Sequence, residues 1–502
     1  MDRVDVDSFS TNMNQPENPT EPVFSDQVLV NDIVTRLTLT LDGELRWTDN
    51  GQRRLSLEKQ VLGFVIEGDK IRVKAMVDNG LGIFGFSHTG ARVREDFIFQ
   101  PLHDGYKMLW CQHLRNYLDS LGRPKRLFVL VNPYGGKKSA SKIFLDVVKP
   151  LFDAAEVQIT VQETKYQLHA KEVANSLDLT KYDGIVCVSG DGILVEVVNG
   201  LLGREDWSTA IKIPIGMIPG GTENGMVKST LASVGEPCTA ANAVFAIIRG
   251  HKCSLDVATI VQGETKFFSV LMLAWGLIAD IDIESEKYRW MGSARIDFYA
   301  LQRVINLRKY NGRISFVPAP GFESYGHPTS YSAQSDGEQG TCNPSQEHPV
   351  HIQHGYPGAD VDLKNLSWRT FSGPFVSIWL HNVPWGGERT MAAPDAKFSD
   401  GCLDLIVIKQ CSKLSLMSLL TKVSNGGHIK SPDVFYLKVK AFILDPGQRT
   451  NEPAKGGIID VDGEVLARGR GTYMCDKKSL MNYSKLEITV DHGLATLFCP
   501  QA

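Results

Sequence analysis

No apolar run in this 502-residue chain is long enough to cross a bilayer. The longest, from Phe267 to Ala279, falls short of the roughly 20 residues a spanning helix needs and reads as a buried strand entering a helix. Cysteine is sparse: nine residues, odd in number, scattered and never spaced C-x-x-C. That pattern argues against a disulfide framework or a zinc site and points to a reducing compartment. There is no surplus of either charge. With 53 Lys and Arg against 57 Asp and Glu, the net charge of −4 gives no electrostatic footprint for nucleic acid. Met1 is followed by acidic and polar residues, so no secretory leader is expected, and no internal repeat is visible. The expectation is a cytoplasmic protein whose membrane contact, if any, is peripheral. The length suits two or three domains, and a hydrophobic fraction of 43% is enough to give them cores.

The chain divides by texture. Residues 1–25 are polar, contain Pro and Asn, and are expected to be disordered. Over 26–120, short apolar runs alternate with turn signals, as in Leu37 to Leu41 before Asp42-Gly43 and Leu62 to Ile66 before Gly68-Asp69. That spacing predicts a small all-β unit. It closes with a helical stretch, Tyr106 to Leu118, whose Trp110, Leu114, Tyr117 and Leu118 form a stripe. Over 121–254, apolar strands (Arg126 to Val131, Val157 to Val161, Ile185 to Val188, Pro214 to Ile218) alternate with helical patterns. This is the pattern of an α/β domain with a largely parallel sheet and ligand turns at its strand ends. Residues 255–502 carry longer β-rich runs, such as Phe375 to Leu380, Leu403 to Ile408 and Val434 to Ile443, and predict a β-sandwich. Within them 321–349, rich in Ser, Gly, Pro, Gln and His, is expected to be a flexible insertion.

The most informative segment is Val188-Ser189-Gly190-Asp191-Gly192, an apolar strand turning into the helical pattern that starts at Ile193. Two glycines let the backbone approach a ligand closely, and the helix start favours an anion in the turn. An aspartate there is placed to accept a proton from a hydroxyl attacking a phosphoryl group; its plain structural use would be to cap the following helix. Three more segments join it: Asn132-Pro133-Tyr134-Gly135-Gly136, Gly220-Gly221-Thr222-Glu223-Asn224-Gly225 and Asp460-Val461-Asp462-Gly463-Glu464. The first is no P-loop, because its glycine spacing and its ending are both wrong.

Taken together, these segments resemble the diacylglycerol kinase-type catalytic fold from about Arg123 onward. The run Leu271 to Arg289, with Ala274-Trp275-Gly276 and Asp280-Ile281-Asp282-Ile283-Glu284-Ser285-Glu286-Lys287-Tyr288-Arg289, is similar to the stretch by which sphingosine kinases differ from ceramide and diacylglycerol kinases. Asn382-Val383-Pro384-Trp385-Gly386-Gly387 and Ala393-Pro394-Asp395-Ala396 make the plant branch the nearest resemblance. The implied architecture is an α/β nucleotide-binding domain plus an all-β sandwich domain. The N-terminal unit resembles a pleckstrin-homology-like β domain, though a plain β-extension of the core fits it equally.

The resemblance implies an ATP-dependent kinase acting on the primary hydroxyl of a sphingoid base such as sphingosine or phytosphingosine. Ceramide or diacylglycerol kinase, or a catalytically impaired lipid-binding homologue, are the alternatives. Asp191 is implied as the base. Asn132, Pro133, Tyr134, Thr164, Ser189, Gly221, Thr222, Glu223, Gly463 and Glu464 are implied at the nucleotide, and Arg289 and Arg295 at its phosphates. Asp282 is implied at the lipid amine, with Ser189, Gly190 and Gly192 beside the acceptor. Mg2+ would be held mainly by phosphates and water. Spacing alone puts Asp282, Glu286 and Arg289 on one face of a continuous helix, with Gly292 as a breaker before Arg295. Glu196 is a secondary candidate that either orients the site or caps polar groups. Contact with internal membranes, the vacuolar one if the source is a plant, is implied only by resemblance, and a homodimer is left open.

One position departs from the family pattern. Glu223 stands where the third loop usually has glycine. That substitution costs about 1 kcal/mol or more if φ must be positive. A carboxylate ~6 Å from a phosphate would add repulsion on the order of 3 kcal/mol per unit charge at an effective dielectric near 20.

Overall fold

The computed structural model describes residues 20–49, 51–78, 92–103, 105–135, 138–292, 294–331, 355–474 and 478–501. The chain folds as two compact units.

The first is a seven-stranded antiparallel sheet in the order Gln52–Ser56, Glu44–Thr48, Ile33–Thr40, Pro22–Val30, Arg92–Pro101, Lys70–Asp78, Val61–Glu67. The helix Tyr106–Ser120 packs on it through Trp110, Leu114 and Leu118, spaced four apart so that they share one face. The first strand starts at Pro22, inside the span expected to be disordered. Ser25 pairs with Thr38, and the Phe24 ring meets Trp110 edge-on at 4.7 Å. The rest of that expectation, residues 1–19, lies outside the described residues.

In the second unit, parallel strands run in the order Ile215–Pro219, Gly184–Ser189, Arg126–Val131, Gln158–Glu163. Gly184–Ser189 and Ile215–Pro219 are buried at every residue, as a parallel strand covered on both faces requires. The helix Asp191–Leu202 is buried along nearly its whole length. The chain's last strand, Leu486–Phe498, returns to this sheet, where Leu497 stands parallel to Ile215. Along its length it also pairs antiparallel with Lys252–Gln262 and with Phe435–Arg449.

The expected boundary at 254/255 is therefore not a break, since Lys252–Gln262 runs straight across it. The remaining strands, Met272–Gly276, Ser377–His381, Leu403–Ile408 and Phe435–Arg449, continue the sheet into the β-rich half. Tyr310–Pro318 and Trp368–Ser372 add to it from the other edge of Phe435–Arg449. Part of the expected flexible insertion is ordered: His327–Thr329 pairs with Trp368–Ser372. Residues 332–349 lie outside the described residues.

The expectation about cysteine needs one correction. Cys253 and Cys499 form a disulfide, with Cα atoms 5.9 Å apart. Strand pairing sets Cys253 opposite Leu497 and so brings the two thiols together, although 246 residues separate them in sequence. Among the described residues no helix is long and apolar enough to cross a membrane.

Candidate active site

Three turns at the carboxyl ends of the parallel strands build one wall of a cavity of about 650 Å³. After Arg126–Val131, the Asn132 side-chain oxygen accepts hydrogen bonds from the backbone N–H of Tyr134 (3.0 Å) and Gly135 (3.1 Å), closing an Asx turn. After Gly184–Ser189 come Gly190 and the helix Asp191–Leu202. After Ile215–Pro219, the Asn224 side-chain oxygen accepts from Gly221 N–H at 3.0 Å and sets the start of the helix Gly225–Ala232. The last two turns touch backbone to backbone, and a Cβ on Gly221 would collide with Gly190 Cα. That contact is why glycine stands at both positions.

Asp191 is 8% exposed. It caps a helix, but not its own: Oδ2 accepts from Gly225 N–H at 2.8 Å and Oδ1 from Met226 N–H at 3.0 Å. Burial pushes its pKa up to about 7; those two donors oppose the rise and nearby Asp462 adds to it. A carboxyl poised there takes up and releases a proton near neutrality. Glu196, one turn further along, accepts from Leu168 N–H and Ala170 N–H, both at 3.0 Å, and so caps the helix His169–Ser176. Burial pushes it, too, up to about 7.

The opposite wall starts with the hairpin Ile458–Val461 to Glu464–Arg468. Its turn needs positive φ at Asp462 (51°) and Gly463 (80°). Glu464 accepts from the Gln167 amide at 3.0 Å. Asp462, missed by the sequence reading, fastens the wall together. Its carboxylate accepts from the N–H groups of Val270, Leu271 and Met272 at 2.7–2.9 Å and from the Ser269 hydroxyl at 3.0 Å. The Asp-Gly turn is the available signal, but nothing local tells where its carboxylate reaches.

From Met272–Gly276 the chain enters the helix Leu277–Glu284 and then a tighter 3-10 segment, Ser285–Met291, irregular at Tyr288. The expected continuous helix is thus broken between Asp282 and Glu286, yet Asp282, Glu286 and Arg289 all reach the cavity. Arg289 is exposed and pairs with Glu286 at 3.3 Å. Gly292, with φ of 61°, turns the chain into the helix Ala294–Ile305. Arg295 is then buried at 7% exposure with Nη1 unpartnered, lining the cavity.

A second group missed by the sequence reading lies beneath. Arg308 bridges buried Asp280 (3.1 Å) and Glu284 (2.7 Å), Tyr310 donates to Asp280 at 2.6 Å, and Tyr299 donates to Glu284.

Of the expected residues, Asn132, Tyr134, Thr164, Gly190, Asp191, Gly192, Gly221, Thr222, Glu223, Asp282, Arg289, Arg295, Gly463 and Glu464 line this one cavity. Pro133 and Ser189 do not. Ser189 ends a fully buried strand and donates its hydroxyl to the Gly190 carbonyl at 2.8 Å. Apolar walls from Leu271, Met272, Ile278, Ile281 and Trp379 complete the enclosure.

Across 97% of its length the chain is 62% identical to sphingosine kinase 1 of Arabidopsis thaliana, covering 98% of that protein. It is equally identical to Arabidopsis sphingosine kinase 2, over 96% of this chain and 98% of the relative. The chain belongs to the sphingosine kinase family. Residues 126–260 match the diacylglycerol kinase catalytic domain, and residues 327–480 match the YegS C-terminal NAD kinase beta sandwich-like domain. Human ceramide kinase is more distant, at 33% identity over 63% of this chain and 61% of its own. In this member of the sphingosine kinase family, the catalytic-domain match runs past residue 254 into the strand shared by both halves, as the fold does.

Proposed function

We propose that the protein transfers the γ-phosphoryl group of ATP to the primary hydroxyl of sphingosine or phytosphingosine, giving the 1-phosphate. The observation that carries this reading is the single cavity holding a near-neutral carboxyl (Asp191), a buried unpartnered guanidinium (Arg295), a further carboxylate (Asp282) and apolar walls. The acceptor oxygen attacks the γ-phosphorus, the bond to the β–γ bridging oxygen breaks, ADP leaves, and Asp191 takes the hydroxyl proton. Arg295, Arg289 and the N–H groups of the glycine turns offset the triphosphate charge. Asp282 takes the lipid ammonium, a contact that favours an amine-bearing lipid over neutral diacylglycerol.

A magnesium ion, when bound with the nucleotide, would supply charge neutralisation on the phosphates. Among the described residues no group of three or more His, Cys, Asp or Glu is placed to hold a metal by itself.

Peripheral membrane contact fits the helices beside the cavity. Ala294–Ile305 exposes Phe298, Leu301 and Ile305, Lys413–Lys422 exposes Leu414, and Trp290 is 82% exposed. Solvent-facing apolar groups of this size mark an interaction surface, and a lipid substrate arrives from a bilayer.

The test is phosphorylation of sphingosine, phytosphingosine, ceramide and diacylglycerol with Mg-ATP by the protein and by Asp191→Asn. Turnover of free bases alone, lost in the variant, is expected. Turnover of ceramide or diacylglycerol in preference would overturn the substrate assignment, and no turnover by a folded protein would favour the lipid-binding alternative.

A further inference from the structure

Glu223 departs from the pattern of its loop, and the structure shows where its side chain goes. Its φ is not positive, so the backbone cost anticipated for a non-glycine residue does not arise. Its carbonyl and its carboxylate have different neighbours. The Glu223 carbonyl oxygen lies against the two glycine turns, 3.0 and 3.3 Å from where a Cβ on Gly221 or Gly190 would sit. The side chain rests on Gly387, where an added Cβ would overlap its carboxylate. Gly387 belongs to the tight turn 386–390, closed by Gly386 N–H to the Thr390 carbonyl at 2.9 Å. Gly386, Arg389 and Thr390 of that turn line the same cavity as Asp282.

Among the described residues, the Glu223 carboxylate has no hydrogen-bond or ion-pair partner. Its neighbours do not compensate it. Glu388 is engaged by the Asn224 amide at 2.6 Å, and Arg389 is drawn to Asp297 at 3.3 Å. Burial, then the charges of Asp282, Asp191 and Glu388, push the Glu223 pKa up to about 7, with Arg389 opposing. An uncompensated acid facing Asp282 across a cavity with apolar walls is the setting in which a cation binds. A primary ammonium carries three N–H donors, which two converging carboxylates satisfy better than one.

We propose that Glu223 is a second head-group ligand, which with Asp282 accepts hydrogen bonds from the ammonium of the acceptor lipid. This deepens the kinase reading above and rests on it for the identity of the lipid. Glu223 thereby sets specificity for amine lipids and does not weaken the nucleotide site.

The experiment measures KM for sphingosine and for ATP in the parent, Glu223→Gln and Glu223→Gly. Equilibrium binding of sphingosine without ATP is measured on the same proteins. The expected result is a sphingosine KM and dissociation constant about tenfold higher in both variants, with the ATP KM moving less than twofold. Sphingosine binding unchanged in both variants overturns the inference. So does a large fall in ATP KM in Glu223→Gly, which would make the carboxylate a repeller of phosphate. A parent that binds sphingosine Glu223-dependently but turns over no lipid would sink the kinase reading and leave the inference standing.

Discussion

Asp191 does two things with one carboxylate: it anchors the helix Gly225–Ala232 and it lines the cavity, where we propose it as the base. Asn in its place keeps one acceptor oxygen and presents N–H2 to a backbone donor, so Asp191→Asn removes the base and disturbs the cap together. A loss of 10²–10⁴ in kcat is expected for the base, with about 1 kcal/mol of stability for the cap, read by turnover and urea unfolding. The base must be ionised to accept a proton. With a pKa of about 7, kcat in the parent should therefore fall as pH drops below about 7, and any residual activity of Asp191→Asn should lack that limb. The folding consequence has the opposite sense. Burial raises the native pKa above the unfolded value, so this group's contribution to stability is complete below about pH 4. It is lost as pH rises to about 7. Residue types and turn glycines make most of this site legible in the sequence, because close backbone approach demands glycine wherever the chain is read. Asp462 and Arg308 are not legible, since their roles are contacts to partners 24 to 193 positions away.

The helix Leu277–Glu284 carries Asp282 into the cavity and is itself held from below by Arg308, through Asp280 and Glu284. Arg308→Met keeps the aliphatic bulk but strips the cation from two buried carboxylates. Breaking a buried pair in this way costs about 3–5 kcal/mol, visible as a lower urea midpoint. Because the loosened helix bears Asp282, the proposed head-group acid, sphingosine KM should rise more than ATP KM; equal changes in both would mean that Arg308 is structural only. At this scale the sequence locates strands and helices well where their periodicity is clear. It misleads over 282–289, where the chain tightens into a 3-10 segment and turns at Gly292. Charge spacing of i, i+4 and i+7 does not distinguish the two helical forms when each side chain is long enough to reach one cavity.

Across the second unit, continuity comes from one strand. Leu486–Phe498 lies parallel to Ile215–Pro219 at one end and antiparallel to Lys252–Gln262 and Phe435–Arg449 along the rest. The α/β half therefore does not own all of its sheet. A fragment of residues 125–254 should fail to unfold cooperatively or to bind ATP, judged by thermal unfolding and nucleotide titration; a cooperative, ATP-binding fragment would show that the strand is dispensable. A one-dimensional reading places a boundary at 254 because the pattern of elements changes there, and that change is real. The pairing that overrides it joins residues hundreds of positions apart and leaves no local trace.

That returning strand also sets an order of events during synthesis. The Lys212 ammonium rests on the carbonyl of Leu494, 282 residues later in the chain, at 2.8 Å. At translation speeds of about 5–20 residues per second, the nucleotide half waits on the order of 12–50 s after its own emergence before its last strand exists. A growing polypeptide still on the ribosome holds most of the phosphate site's loops and none of the finished sheet. It is therefore expected to consume no ATP and modify no lipid until Leu486–Phe498 has emerged, so that activity itself reports the arrival of that strand.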